Sequence, residues 1–144
     1  MAAALFEHAA RRHGDSDLWI VESAGTWAMD GQPATGHAQT MMAQRELDIR
    51  KHRAHTITRE DVESSDVVIV MTENHRQALV AEFPAHRHKI HLLGEVDGSK
   101  QDVADPYGGS LPEYKECANE LERLIELGYP LIKSWSDSTT SLIS

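Results

Sequence analysis

Residues 66–71 read Asp-Val-Val-Ile-Val-Met. The run is continuous, β-branched and apolar on both faces, the pattern of a strand at the centre of a covered parallel sheet. Downstream, Glu73 to Phe83 reads as a helix ended by Pro84, and Lys89 to Leu93 as a second strand. Gly94 to Ala104 is a polar loop. Ser110 and Glu113 form an S-x-x-E box opening a last helix through Leu127, stopped by Gly128 and Pro130. Upstream, Thr58 with Asp61 resembles a capping box for a short helix ending near Ser64. Thr35 can cap a helix from about His37 to Leu47, with Met41, Met42 and Leu47 inward. Leu18 to Val21 reads as a buried strand, and Ser23-Ala24-Gly25-Thr26 as the loop after it. Ala2, Leu5, Phe6, Ala9 and Ala10 fall at helical spacing, closed by Gly14, with no capping residue in front. Strands alternate with helices, so the class is α/β with a parallel sheet, whose ligands bind at the carboxyl ends of the strands.

The chain has 144 residues, which predicts one domain, 1–132, followed by a loosely ordered Ser/Thr-rich tail, 133–144. A single Cys excludes a disulfide scaffold and a Cys-based zinc finger. The net charge of −9 argues against a nucleic-acid partner, which a basic face would serve. No apolar run approaches the roughly 18 residues that span a bilayer, so no membrane partner is expected. The apolar stretch after Met1 is too short for a signal peptide, which predicts a cytoplasmic, reducing location.

The stretch richest in chemistry is Asp105-Pro106-Tyr107-Gly108-Gly109-Ser110. Pro106 forces Asp105 into extended backbone and holds its carboxylate outward. Together with Ser23-Ala24-Gly25-Thr26, His52-Arg53-Ala54 and the DVVIVMT strand, it resembles a low-molecular-weight protein tyrosine phosphatase of the bacterial branch, which includes arginine phosphatases. The resemblance runs from Met1 to about Ile132 and implies a three-layer sandwich around a central parallel sheet. It also implies hydrolysis of phosphotyrosine, or phosphoarginine, through a cysteinyl-phosphate, with no metal or other cofactor. Asp105 would be the general acid, protonating the leaving oxygen or nitrogen and then activating water. Ser23 and His52 would hold the phosphate loop in shape. Tyr107 and Trp27 would wall the substrate pocket. A phosphorylated protein or small phosphomonoester would be the substrate.

The departure from the family pattern is at the start. The C-x-x-G-N-x-C-R-S phosphate loop is absent, and Met1-Ala2-Ala3-Ala4-Leu5-Phe6 matches the helix that follows it. The first strand and the nucleophile are therefore expected to be missing, as if an internal Met had been taken for the start. Cys117 and Arg123 fit a bare Cys-x5-Arg pattern, but the segment has no Gly to form an anion nest, and its Glu120 and Glu122 would repel phosphate. Cys117 shares a helical face with Tyr114, Leu121 and Leu124 and reads as a core thiol. His86, His88 and His91 cluster, but Arg87 and Lys89 interleave and oppose a metal ion, so the segment reads as a solvated basic turn.

Three functions follow. A phosphatase whose 144 residues lack the nucleophile should be inactive as it stands. A non-catalytic binding or regulatory module would have to tolerate the unpaired edge that a lost central strand leaves. An arsenate reductase shares the general fold but relays electrons through further cysteines, which Cys117 alone does not provide.

Overall fold

The computed structural model describes residues 1–25, 30–136 and 141–143, the last of these as backbone. The central strand is β1, Val67–Val70, with all four residues buried. It lies between β2, Ile90–Leu92, and β3, Ser141–Ile143, and both pairings are parallel. Val68 sits across from Ile90 on one side and Leu142 on the other.

The side chains of β1 alternate between two cores, as a pleated strand requires. Val67 and Ile69 pack with α1 (Ala2–Arg12), α2 (Gly36–Ala43) and α5 (Leu111–Trp135). Val68 and Val70 pack with Val62 of α3 (Arg59–Ser64) and with Leu79 and Phe83 at α4 (Glu73–Glu82). Helices on both faces of a parallel sheet make the three-layer sandwich expected from the sequence.

The caps explain where several helices begin. Thr35 Oγ1 accepts from Ala38 N at 3.2 Å, Thr58 and Asp61 form a reciprocal box, and Thr72 Oγ1 accepts from His75 N at 3.2 Å. At α5 the expected box does not form. Ser110 makes no side-chain cap, although its carbonyl accepts from Tyr114 N at 3.1 Å.

Three further expectations change. Leu18 to Val21 is not a buried strand. Residues 16–18 form a short 3-10 turn, Leu18 and Ile20 are about 60% exposed, and Trp19 and Val21 pack against the core. The extended alternation is real, but among the described residues no strand pairs with it. Helix α5 does not stop at Gly128 and Pro130 but runs to Trp135. Gly128 is a packing notch, since a Cβ there would lie 2.5 Å from Val96 Cβ. Burying Tyr129 and Ile132 outweighs the one backbone bond that Pro130 cannot make. The tail expected over 133–144 lies partly outside the described residues; within it, Lys133 to Trp135 are helical and 141–143 pair with β1.

A polar clamp ties the end of α5 to the segment after α1. Trp19 Nε1 donates to Tyr129 Oη at 2.9 Å, and Tyr129 donates to Asp15 Oδ2 at 2.6 Å. Lys133 Nζ donates to the same oxygen at 3.0 Å. Phe6 meets the Trp19 ring edge-on at 4.8 Å.

Candidate active site

The carboxyl end of β1 opens into a cavity of about 380 Å³. Val70, Met71 and Thr72 bring the strand to its wall. Val103 N donates to Met71 O at 2.8 Å, which fastens the acid loop to the end of the strand. Asp102 Oδ1 accepts from Glu73 N at 2.9 Å, fixing the loop a second time to the start of α4. Asp105 and Pro106 therefore reach the rim from a loop anchored at two points.

Asp105 is exposed at that rim. Its Oδ1 accepts from Tyr107 N at 3.0 Å, and Gly109 N donates to Pro106 O at 2.7 Å. This tight turn, with Gly108 at φ +79°, leads into α5. Ser23 also lines the cavity, and just beyond it Gly25 N donates to His55 O at 2.9 Å and Ile57 N donates to Gly25 O at 2.7 Å. That pairing aligns the Ser23-Ala24-Gly25 turn with the segment carrying His52, Ala54 and His55, all of which line the cavity.

Three of the residues expected at the site, Asp105, Ser23 and His52, thus share one cavity although the chain separates them widely. Tyr107 is 78% exposed and is not among the lining residues. Trp27 lies outside the described residues. Burial first, then the positive N-terminus, His55 and Arg53, lower the His52 pKa below its ordinary 6.5, which favours the neutral imidazole.

The core-thiol reading of Cys117 holds in part, since the side chain packs against the core shared by α1, α2 and α5 but also faces the cavity. It is half-buried and lines the cavity beside Leu121, its thiol donating weakly to Ala104 O at 3.8 Å. Its face of α5 is the one that reads as core, and only the docking of the acid loop turns that face into a cavity wall. Burial, then the charge of Asp105, push the thiol pKa up. A poised nucleophile requires the opposite shift. No Lys or Arg lines the cavity, so a bound phosphate dianion would meet no cationic side chain among the described residues.

The histidines of the basic turn do not converge. His86 and His88 lie in the 3-10 segment Pro84–Lys89, while His91 stacks on Trp135 at 3.9 Å with Nδ1 3.4 Å from Glu95. No group of metal-binding side chains gathers among the described residues.

The family model for low molecular weight phosphotyrosine protein phosphatase matches residues 1–130. The chain belongs to that family. This phosphatase chain is 39% identical to a protein-arginine-phosphatase of Bacillus subtilis over 126 residues, 87% of this chain and 82% of the relative. It is 32% identical over 114 residues to a probable low molecular weight protein-tyrosine-phosphatase, EpsP, of Ralstonia nicotianae, covering 79% and 77% of the two chains. Among solved structures, the YwlE arginine phosphatase superposes with a TM-score of 0.84 and 37% identity over 95% of this chain and 87% of that one. In that structure a serine introduced by a cysteine-to-serine mutation is the phosphorylated active-site residue. The low-molecular-weight protein tyrosine phosphatase of T. tengcongensis superposes with a TM-score of 0.83 and 34% identity, over 92% and 88% of the two chains. The phosphatase family thus accounts for the sandwich, and its members are phosphate-releasing hydrolases.

Proposed function

We propose that this cavity is the acid half of a low-molecular-weight phosphatase site, with Asp105 as general acid and Ser23 and His52 as the residues that hold a phosphate loop. The observation that carries it is the gathering of these three groups at the carboxyl end of β1. Asp105 protonates the leaving atom when the phosphoryl group is transferred and then draws a proton from the attacking water. Neutral His52 and the Ser23 hydroxyl serve as hydrogen-bonding supports. The substrate is a phosphorylated protein or small phosphoester handled in a reducing, cytoplasmic setting, which the single cysteine supports. Phosphoarginine is the favoured substrate, with the arginine nitrogen as the leaving atom, a reading supported by the likeness to the Bacillus protein-arginine-phosphatase and the YwlE arginine phosphatase. Phosphotyrosine is the second reading, supported by the EpsP relative and by exposed Tyr107 beside the acid.

The 144 residues themselves carry no nucleophile for this reaction. The polypeptide 1–144 is expected to hydrolyse p-nitrophenyl phosphate no faster than its Cys117→Ser variant. Turnover that depends on Asp105 but survives Cys117→Ser would overturn that. Adding an apolar strand and a C-x-x-G-N-x-C-R-S loop ahead of Met1 should produce turnover that Asp105→Asn lowers by roughly 10²–10⁴-fold. Assays of that extended protein on phosphoarginine and phosphotyrosine peptides then separate the two substrate readings.

A further inference from the structure

Residues 102, 103 and 104 are each tied to a different element. Asp102 Oδ1 accepts from Glu73 N, the first amide of α4, at 2.9 Å. Val103 N donates to Met71 O, just past β1, at 2.8 Å. Ala104 O accepts from Cys117 Sγ of α5 at 3.8 Å. Asp105 follows directly, and its α-carbon stands within roughly 11 Å of that of Asp102. The three ties are unequal. The thiol bond is long and weak. The Val103 tie runs from backbone to backbone and owes nothing to a polar side chain. Asp102 alone sets a carboxylate on a helix N-terminus, a charge-assisted bond to the positive end of a dipole. Helix α4 leaves that amide open, because Thr72 Oγ1 takes His75 N and the first amide of a helix has no partner within it.

We propose that Asp102 is the positioning residue of the acid loop, its bond to the start of α4 setting where the Asp105 carboxylate stands in the cavity. This rests on the reading of Asp105 as general acid and extends it to the residue that delivers the acid. Asp102 does not line the cavity, so it acts through the short chain between the two carboxylates. Two features leave that chain little freedom. Pro106 keeps Asp105 extended, and Tyr107 N holds the Asp105 carboxylate at 3.0 Å. The remaining variable is where residue 102 is anchored. Helix α4 starts three residues after β1 ends, so the bond refers the acid to the carboxyl end of the sheet. A misplacement on the order of 1 Å at a reacting group costs about 10²-fold in rate, and a loop without the Asp102 tie has that latitude.

Cys117 reports on the loop without any turnover. Its thiol bonds Ala104 O, and burial first, then the Asp105 charge, raise its pKa. The charges acting on it are those of Asp105 and the N-terminal amine, so a change at Asp102 reaches the thiol by moving the loop. The test is the pH profile of iodoacetamide alkylation on the 144-residue chain. Asp102 is exposed, so its truncation leaves both cores intact. Asp102→Ala should lower the alkylation midpoint and raise the rate at about pH 7.5 by at least about threefold. Asp102→Asn keeps an oxygen acceptor in place and should stay within about twofold of the parent. In an Asp105→Asn background, Asp102→Ala should move the midpoint less, because the charge it displaces is already gone. Thr72→Ala removes a cap from the same helix without touching the loop. It should lower the denaturant midpoint and leave the alkylation midpoint in place. An Asp102→Ala protein with the parent's midpoint overturns the proposal. So does a Thr72→Ala protein that shifts it equally, or a full-sized shift in the Asp105→Asn background. Because no turnover is read, failure here is told apart from failure of Asp105 as general acid.

Discussion

Cys117 and Asp105 face one cavity from different elements, and their electrostatics set opposite tasks. Partial burial, and after it the Asp105 charge, push the Cys117 thiol pKa above its ordinary value. The rate of iodoacetamide alkylation should therefore rise with pH around a midpoint higher than that of a free thiol. Asp105→Asn removes the anion that opposes the thiolate, so the midpoint should move down. An unchanged midpoint would mean that the carboxylate and thiol do not interact. Tyr129 offers a second residue-level check. Burial and its bond to Asp15 push its pKa up to about 12, so it should ionise late in an absorbance titration. Tyr129→Phe leaves the Trp19 indole N–H without its acceptor and should cost about 1–3 kcal/mol, read from denaturant unfolding.

Helix α5 makes the sharpest case among the elements. Gly128 and Pro130 look like stop signals, yet the helix continues because its buried face needs Tyr129 and Ile132 in place. Gly128 is there for the close approach of Val96. Gly128→Ala should thus destabilise by about 1–3 kcal/mol through overpacking, although Ala is the better helix former. The neighbouring Leu127→Ala, at a 56% exposed position, should have a much smaller effect. A stabilised Gly128→Ala protein would show that α5 and the Leu93–Asp97 turn do not meet as described.

At the scale of the whole molecule, β1 joins the two cores, and the strand end that they hold leads to the cavity. Ile69→Ala should cost about 2–5 kcal/mol in denaturant unfolding. Acid should also weaken the fold through His52. Its folded pKa lies below 6.5, so the unfolded chain binds more protons between those two values. The stability present above pH 6.5 is lost as the pH falls through the folded pKa. Calorimetry from about pH 7.5 to about pH 5 should show this fall, reduced in His52→Gln. An undiminished fall in that variant would remove His52 as its cause.

Much of the fold was legible in the chain because the relevant physics is local. The β1 run announces burial on both faces by composition, and the caps at Thr35, Thr58 and Thr72 depend on residues three positions away. Asp105 was legible because Pro106 constrains the residue before it, and the family likeness was carried by four such short blocks. Ser110 has the same spacing as Thr58, yet its side chain forms no cap. Leu18 to Val21 has strand-like composition but, among the described residues, no neighbouring strand to pair with. The second edge of β1, the Gly128 notch and the cavity face of Cys117 were left to tertiary structure. Each depends on which distant segment arrives alongside, and no local propensity encodes that.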